Sequence, residues 1–195
     1  MNRPDHTEYV AHFTKGDYPI ANLVSIFASK TIRASSMPWT KNPAVCFTEC
    51  PWASLLDHAA RYSPYGIGFD KKHVFAAGGG PAYYVRADHW SKQQWEHDVK
   101  TFVTPFWPEY RPDKLKDTGF LSGKSVDFSH EREWRVPHDF EFDPARVAFV
   151  ILDTYADMAK FPKELKDTIG REKFILMDMY RKIEELWPTH VIHRE

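Results

Sequence analysis

The unbroken apolar run Val147-Ala148-Phe149-Val150-Ile151-Leu152 constrains this chain more than any other stretch. A strand that is apolar on both faces belongs in the middle of a sheet, so the run predicts a central strand over 146–152. Shorter patterns surround it. Further strands are predicted over 9–14, 44–48, 66–69 and 81–86, through Glu131 and Glu133, and over 173–177. Helices are predicted over 20–29, 52–60, 71–77 and 155–169, from Ser91 through Trp95, Val99, Phe102 and Val103, and over 180–187. Strands and helices are interspersed without a regular βαβ alternation, which indicates the α+β class. At 195 residues the chain is expected to form a single domain, 1–195. The stretch 104–127, broken by Pro105, Pro108, Pro112, Gly119 and Gly123, reads as a mobile functional insertion beside a site.

The segment Phe128-Ser129-His130-Glu131-Arg132-Glu133-Trp134-Arg135-Val136 carries the densest set of charged side chains next to aromatic ones. Read as a strand, its period of two puts Glu131, Glu133 and Arg135 on one face, with Arg132 and Trp134 on the other. Ionised groups are buried only when paired or put to use, so this face is either a working site or a solvated ladder of ion pairs. Both acids are expected to add little to stability if they face a wet cleft.

Near the start, Ala11-His12-Phe13-Thr14 puts His12 and Thr14 on one strand face, where imidazole and hydroxyl suit the two edges of a sugar or an amide. A purely structural histidine explains His12 as well. Asn22 stands at a helix start, a usual place for a residue that satisfies free backbone groups. Gly78-Gly79-Gly80 lacks the pattern of a phosphate loop and follows a helix, so it reads as a turn.

Composition narrows the function classes. The net charge of -1 carries no signature of nucleic-acid coating, and aromatics at 15% argue for a well-filled core or cleft. Cys46 and Cys50 have no partner cluster and read as reduced thiols. The histidines show no ligand spacing, so no metal site is expected. No run approaches the ~20 apolar residues of a membrane span and no apolar signal core is visible, so a cytoplasmic protein without a membrane partner is expected.

In order along the chain stand His12-Phe13-Thr14, Asn22-Leu23, Ala44-Val45-Cys46-Phe47-Thr48-Glu49, Tyr65-Gly66-Ile67-Gly68-Phe69-Asp70-Lys71, Pro81-Ala82-Tyr83-Tyr84-Val85 and Glu131-Arg132-Glu133-Trp134-Arg135. This series resembles the AbiGi-type family of abortive phage-resistance proteins. More distantly, it is similar to the DarT-type ADP-ribosyltransferases. That second resemblance implies split sheets with NAD as substrate between them and Glu133 as the catalytic carboxylate. The E-x-E spacing is similar to that of other ADP-ribosyltransferases, which implies Glu131 as the acid that activates an acceptor. His12 and Thr14 would contact NAD, and Asn22 would support the nucleotide. Tyr65 or Trp134 would suit stacking, and Lys71 or Arg135 the pyrophosphate. The acceptor would be a nucleic acid or a protein. The chain carries Thr48-Glu49-Cys50-Pro51 where DarT-type sequences have a basic, proline-rich segment. On this reading the chain is a toxin or effector in phage defence. The alternatives are a noncatalytic, antitoxin-like protein of the same fold that binds a partner protein or nucleic acid, with a cognate antitoxin or toxin as candidate partner, and an N-glycosidase or NAD glycohydrolase that uses the same acids.

Overall fold

The computed structural model describes residues 6–49, 55–90, 92–110 and 124–187. Its strands are β1 (Tyr9–Phe13), β2 (Thr31–Ile32), β3 (Ser35–Ser36), β4 (Pro43–Phe47), β5 (Gly66–Asp70) and β6 (Gly80–Pro81), then β7 (Tyr83–Arg86), β8 (Val103–Phe106), β9 (Trp134–Val136), β10 (Phe140–Glu141), β11 (Phe149–Leu152) and β12 (Phe174–Leu176). The helices are α1 (Pro19–Ser29), α2 (Leu55–Arg61), α3 (Lys71–Ala76), α4 (Ala87–Trp90), α5 (His97–Lys100), α6 (Lys163–Ile169) and α7 (Met177–Leu186). This mixture is α+β. Its contacts gather into two compact units, one built from the segments up to Ile32, Glu49–His73 and Glu141 onward, the other from Arg33–Thr48 and Val74–Phe140.

In the first unit the sheet order is β1-β5-β11-β12, with β5 antiparallel to both neighbours and β11 parallel to β12. Phe149–Leu152 of the apolar run therefore does occupy an interior position, whereas Arg146, expected at the start of the strand, lies in a 3-10 turn, Pro144–Arg146. Alternation sorts its faces. Ala11, Phe13 and Ile151 pack with Ala59 of α2 and with Met177 and Tyr180 of α7. The opposite face meets a chain of edge-on aromatics, Phe69 against Phe142, Phe142 against Phe27 of α1, and Phe27 against Phe161. Each fully buried side chain of this kind contributes roughly 1.5–3 kcal/mol relative to exposure. The glycines of β5 explain how both faces can close. A Cβ on Gly68 would overlap the ring atoms of Phe149, its cross-strand partner, and one on Gly66 would meet the His12 carbonyl at 3.0 Å and the Phe13 ring at 3.3 Å.

The second unit holds the sheet β3-β4-β9-β6, antiparallel throughout, and a parallel ribbon of β7 and β8. Phe47 meets Phe140 edge to face at 5.3 Å, while Trp107 packs with Ala87, Val126 and Trp39. The glycine cluster closes α3. Gly78 has φ +81, and Gly79 donates to the Val74 carbonyl at 3.0 Å in a gap that Val74 and Val136 leave no wider than a glycine.

Three expectations about elements are corrected. The segment around Glu131 is not one strand: Ser129–Glu131 is a 3-10 turn, Arg132 takes a left-handed φ of 45°, and pairing begins only at Trp134. The helix expected from Ser91 shrinks to α5, because Val103, Thr104 and Pro105 enter β8 alongside β7. The helix expected over 155–169 divides at Pro162 into a 3-10 stretch, Tyr155–Lys160, and α6. Cys50, Trp52 and residues 111–123 of the predicted insertion lie outside the described residues.

Candidate functional site

His12 and Thr14 belong to the first unit, Glu131, Glu133 and Arg135 to the second, and each set has its own geometry. His12 sits on β1 opposite Ile67, half-buried. Thr14, just beyond the strand, is buried with its hydroxyl donating to the Tyr65 carbonyl and lying 3.2 Å from Ser63 Oγ. Ser63 in turn donates to the Thr14 carbonyl at 2.7 Å. These bonds fasten the end of β1 to the chain entering β5. Asn22 is exposed on α1 and its amide donates to the Lys15 carbonyl at 2.7 Å, holding the loop around Gly16.

Lys71 lies 2.7 Å from the carboxylate of Glu49, which is only 6% exposed. The cation expected at a pyrophosphate thus has an internal anion. Tyr65 donates its hydroxyl to Asp157 at 3.2 Å, and the same carboxylate accepts from the Thr154 amide and hydroxyl and from Lys160. Burial resists ionisation of Asp157, but Lys160 and Thr154 more than offset it and leave the carboxyl below its usual range. Burial first, and the Asp157 charge second, push the Tyr65 phenol up to about 12.

This network gives a pH prediction. A phenol whose pKa is raised by folding supports the fold fully below its unfolded value near 10, and that support disappears as pH rises toward about 12. Spectrophotometric titration should show two late-ionising tyrosines, Tyr65 and Tyr84, and only the component near pH 12 should vanish in Tyr65→Phe while that of Tyr84 remains. Asp157, held low, works in the opposite direction: its contribution is present above about pH 4 and is lost as acid protonates it.

In the second unit Arg135 is 1% exposed, and its guanidinium holds Glu133 in a two-pronged pair at 3.0 and 2.8 Å. It also donates to the carbonyls of Thr101 at 2.8 Å and Val103 at 3.3 Å and to the Thr104 hydroxyl. One side chain thereby ties β9 to the strand β8 and the turn before it. Glu131 is buried, and its carbonyl accepts from Thr48 Oγ1 at 2.6 Å, which fixes the 3-10 turn against the end of β4. Tyr84 donates to the Phe128 carbonyl at 2.9 Å, and burial, then the Glu133 charge, hold its phenol well above the usual range. The side chain of Glu133 is 11% exposed, so the wet cleft face expected for the acids is absent there.

Reading the sequence missed Glu49 and Asp157. Thr154-Tyr155-Ala156-Asp157 has the spacing of a capping box, the one signal that pointed to Asp157. Glu49 carries no local signal, because its partner Lys71 is brought to it only by the fold. The first unit also has an open cavity of about 790 Å³ lined by Lys30, His73, Glu141, Asp143 and Arg146 among others, with none of the predicted site residues. Its two cations face two carboxylates, so it favours neither charge of ligand. Burial, then Arg146, lowers the pKa of His73.

Among the described residues, no three His, Cys, Asp or Glu are placed to hold a metal ion, and no helix is long and apolar enough to cross a membrane. No curated protein and no solved structure matches the chain. Residues 21–122 match the family model described as "Putative abortive phage resistance protein AbiGi, antitoxin", and with more than half its length inside that match the chain belongs to the AbiGi family.

Proposed function

We propose that this AbiGi chain acts in abortive phage resistance as an antitoxin, by binding a cognate toxin protein and without consuming NAD. The observation that carries this reading is the two-pronged Glu133–Arg135 pair, because a carboxylate held there by a buried guanidinium already serves the fold. Thr14 and Lys71 support it in the same way, with polar groups turned to Tyr65 and Glu49. The family's description as an antitoxin agrees with a partner-binding role. The test is to recover the tagged chain from phage-infected cells, identify the protein bound to it, and express that protein alone and together with the chain. Growth arrest by the partner alone, relieved by the chain, is the expected result. A harmless partner, or arrest caused by the chain itself, contradicts the reading.

Transfer of ADP-ribose from NAD to a nucleic acid or a protein is the second reading. It rests on Glu131 and Glu133, two carboxylates in one short segment that leads into β9. Labelled NAD incubated with lysate protein and nucleic acid separates the two: transferred label or free nicotinamide supports the transferase and hydrolase readings respectively.

A further inference from the structure

Helix α7 is strongly amphipathic, yet much of its apolar side faces away from the unit it packs on. Met177 is buried and Tyr180 joins the core cluster beneath the sheet. On the other side Met179 is 60% exposed, Ile183 57%, Leu186 70% and Trp187 81%. Within the helix, Met179, Ile183 and Leu186 at i, i+4 and i+7 line up along one stripe, and Trp187 follows as the exposed C-cap residue. Large apolar side chains exposed side by side, rather than singly, are a feature of interaction surfaces on soluble proteins.

Charge and area decide what kind of surface covers it. The polar positions of α7 are Asp178, Arg181, Lys182, Glu184 and Glu185, two cations against three carboxylates, with Arg181 held by Asp153 and Lys182 by Glu185. A helix that lies on anionic lipid or along nucleic acid is rich in free cations, and this one is not. A second copy, stripe against stripe, would cover only a few hundred Å² per chain, below the about 800 Å² per partner of a stable interface. A groove that encloses the helix from both flanks covers more of it. Anchors at this spacing are those of a helix laid in an apolar groove.

We infer that α7 is the recognition element of this protein, inserted through Met179, Ile183, Leu186 and Trp187 into an apolar groove on a partner protein. The inference rests on the antitoxin reading and names the surface it uses. The test places the photo-crosslinking residue p-benzoylphenylalanine at Met179 of the full chain in cells, identifies the captured protein, and measures binding of that purified protein to wild type and to Ile183→Asp. Trp187→Asp serves as a second variant. Thermal unfolding of both variants should match wild type, because the stripe is exposed.

A single partner that crosslinks at Met179 and binds Ile183→Asp about 30-fold more weakly is the expected result. Crosslinking only between copies of the chain, no crosslink, or equal affinity for the variants overturns the inference, as does binding of wild type to anionic phosphatidylserine vesicles that Ile183→Asp abolishes. The two readings fail separately. A partner that needs α7 but is harmless to cells removes the antitoxin reading alone, while a toxic partner still neutralised by Ile183→Asp and Trp187→Asp removes the α7 assignment alone.

Discussion

Arg135→Met is expected to destabilise the protein by about 3 to 5 kcal/mol, the usual cost of removing one partner from a buried ion pair. The guanidinium is the common partner of Glu133, Thr101, Val103 and Thr104, so its loss strands a carboxylate and two backbone carbonyls where water reaches poorly. Methionine fills much of the same space, which separates the electrostatic loss from a cavity. Urea unfolding followed by tryptophan fluorescence measures it. Replacing Glu133 and Arg135 together, as Glu133→Gln with Arg135→Met, should cost less than the sum of the two single changes, since neither charge is then left alone.

Gly68→Ala is the second large effect. The added methyl would overlap the ring of Phe149, and Gly68 lies on β5 between β1 and β11, where backbone cannot yield without breaking the ladders on both sides. Overpacking of a well-filled core costs about 1–3 kcal/mol and sometimes more, and this site belongs at the upper end because a rigid ring is the obstacle. Phe149→Leu should recover part of the loss in the double variant, by leaving room beside the new methyl. A thermal unfolding series of wild type, the two single variants and the double variant checks both statements.

The central sheet was legible because its information is local. Val147 to Leu152 is apolar on both faces, and β5 alternates glycine with Ile67 and Phe69, so each strand declares its place without its neighbours. The acidic segment was illegible for the opposite reason. Its period of two predicted a charged strand face, but Glu131 is held in a 3-10 turn by Thr48, 83 residues away, and Arg132 turns left-handed between that turn and β9. The ion-pair alternative for Glu133 and Arg135 was readable from their spacing. The partners that bury the guanidinium, Thr101 and Thr104, come from more than thirty residues earlier and left no trace in the pattern. Pro162, inside the expected helix over 155–169, is the local signal for its division into a 3-10 stretch and α6. The stripe of α7 shows in the periodicity, but only the structure reveals that its apolar side is left uncovered.

The most direct test of the account compares Glu133→Gln with wild type in two measurements on the same preparations, unfolding free energy and nicotinamide release from labelled NAD with lysate protein and nucleic acid present. If the acid holds the fold, the variant loses about 3 kcal/mol or more of stability because buried Arg135 keeps its charge without a counterion, and wild type releases no nicotinamide. A variant as stable as wild type, with nicotinamide release present in wild type and abolished by the substitution, would contradict the account and make Glu133 a catalytic carboxylate.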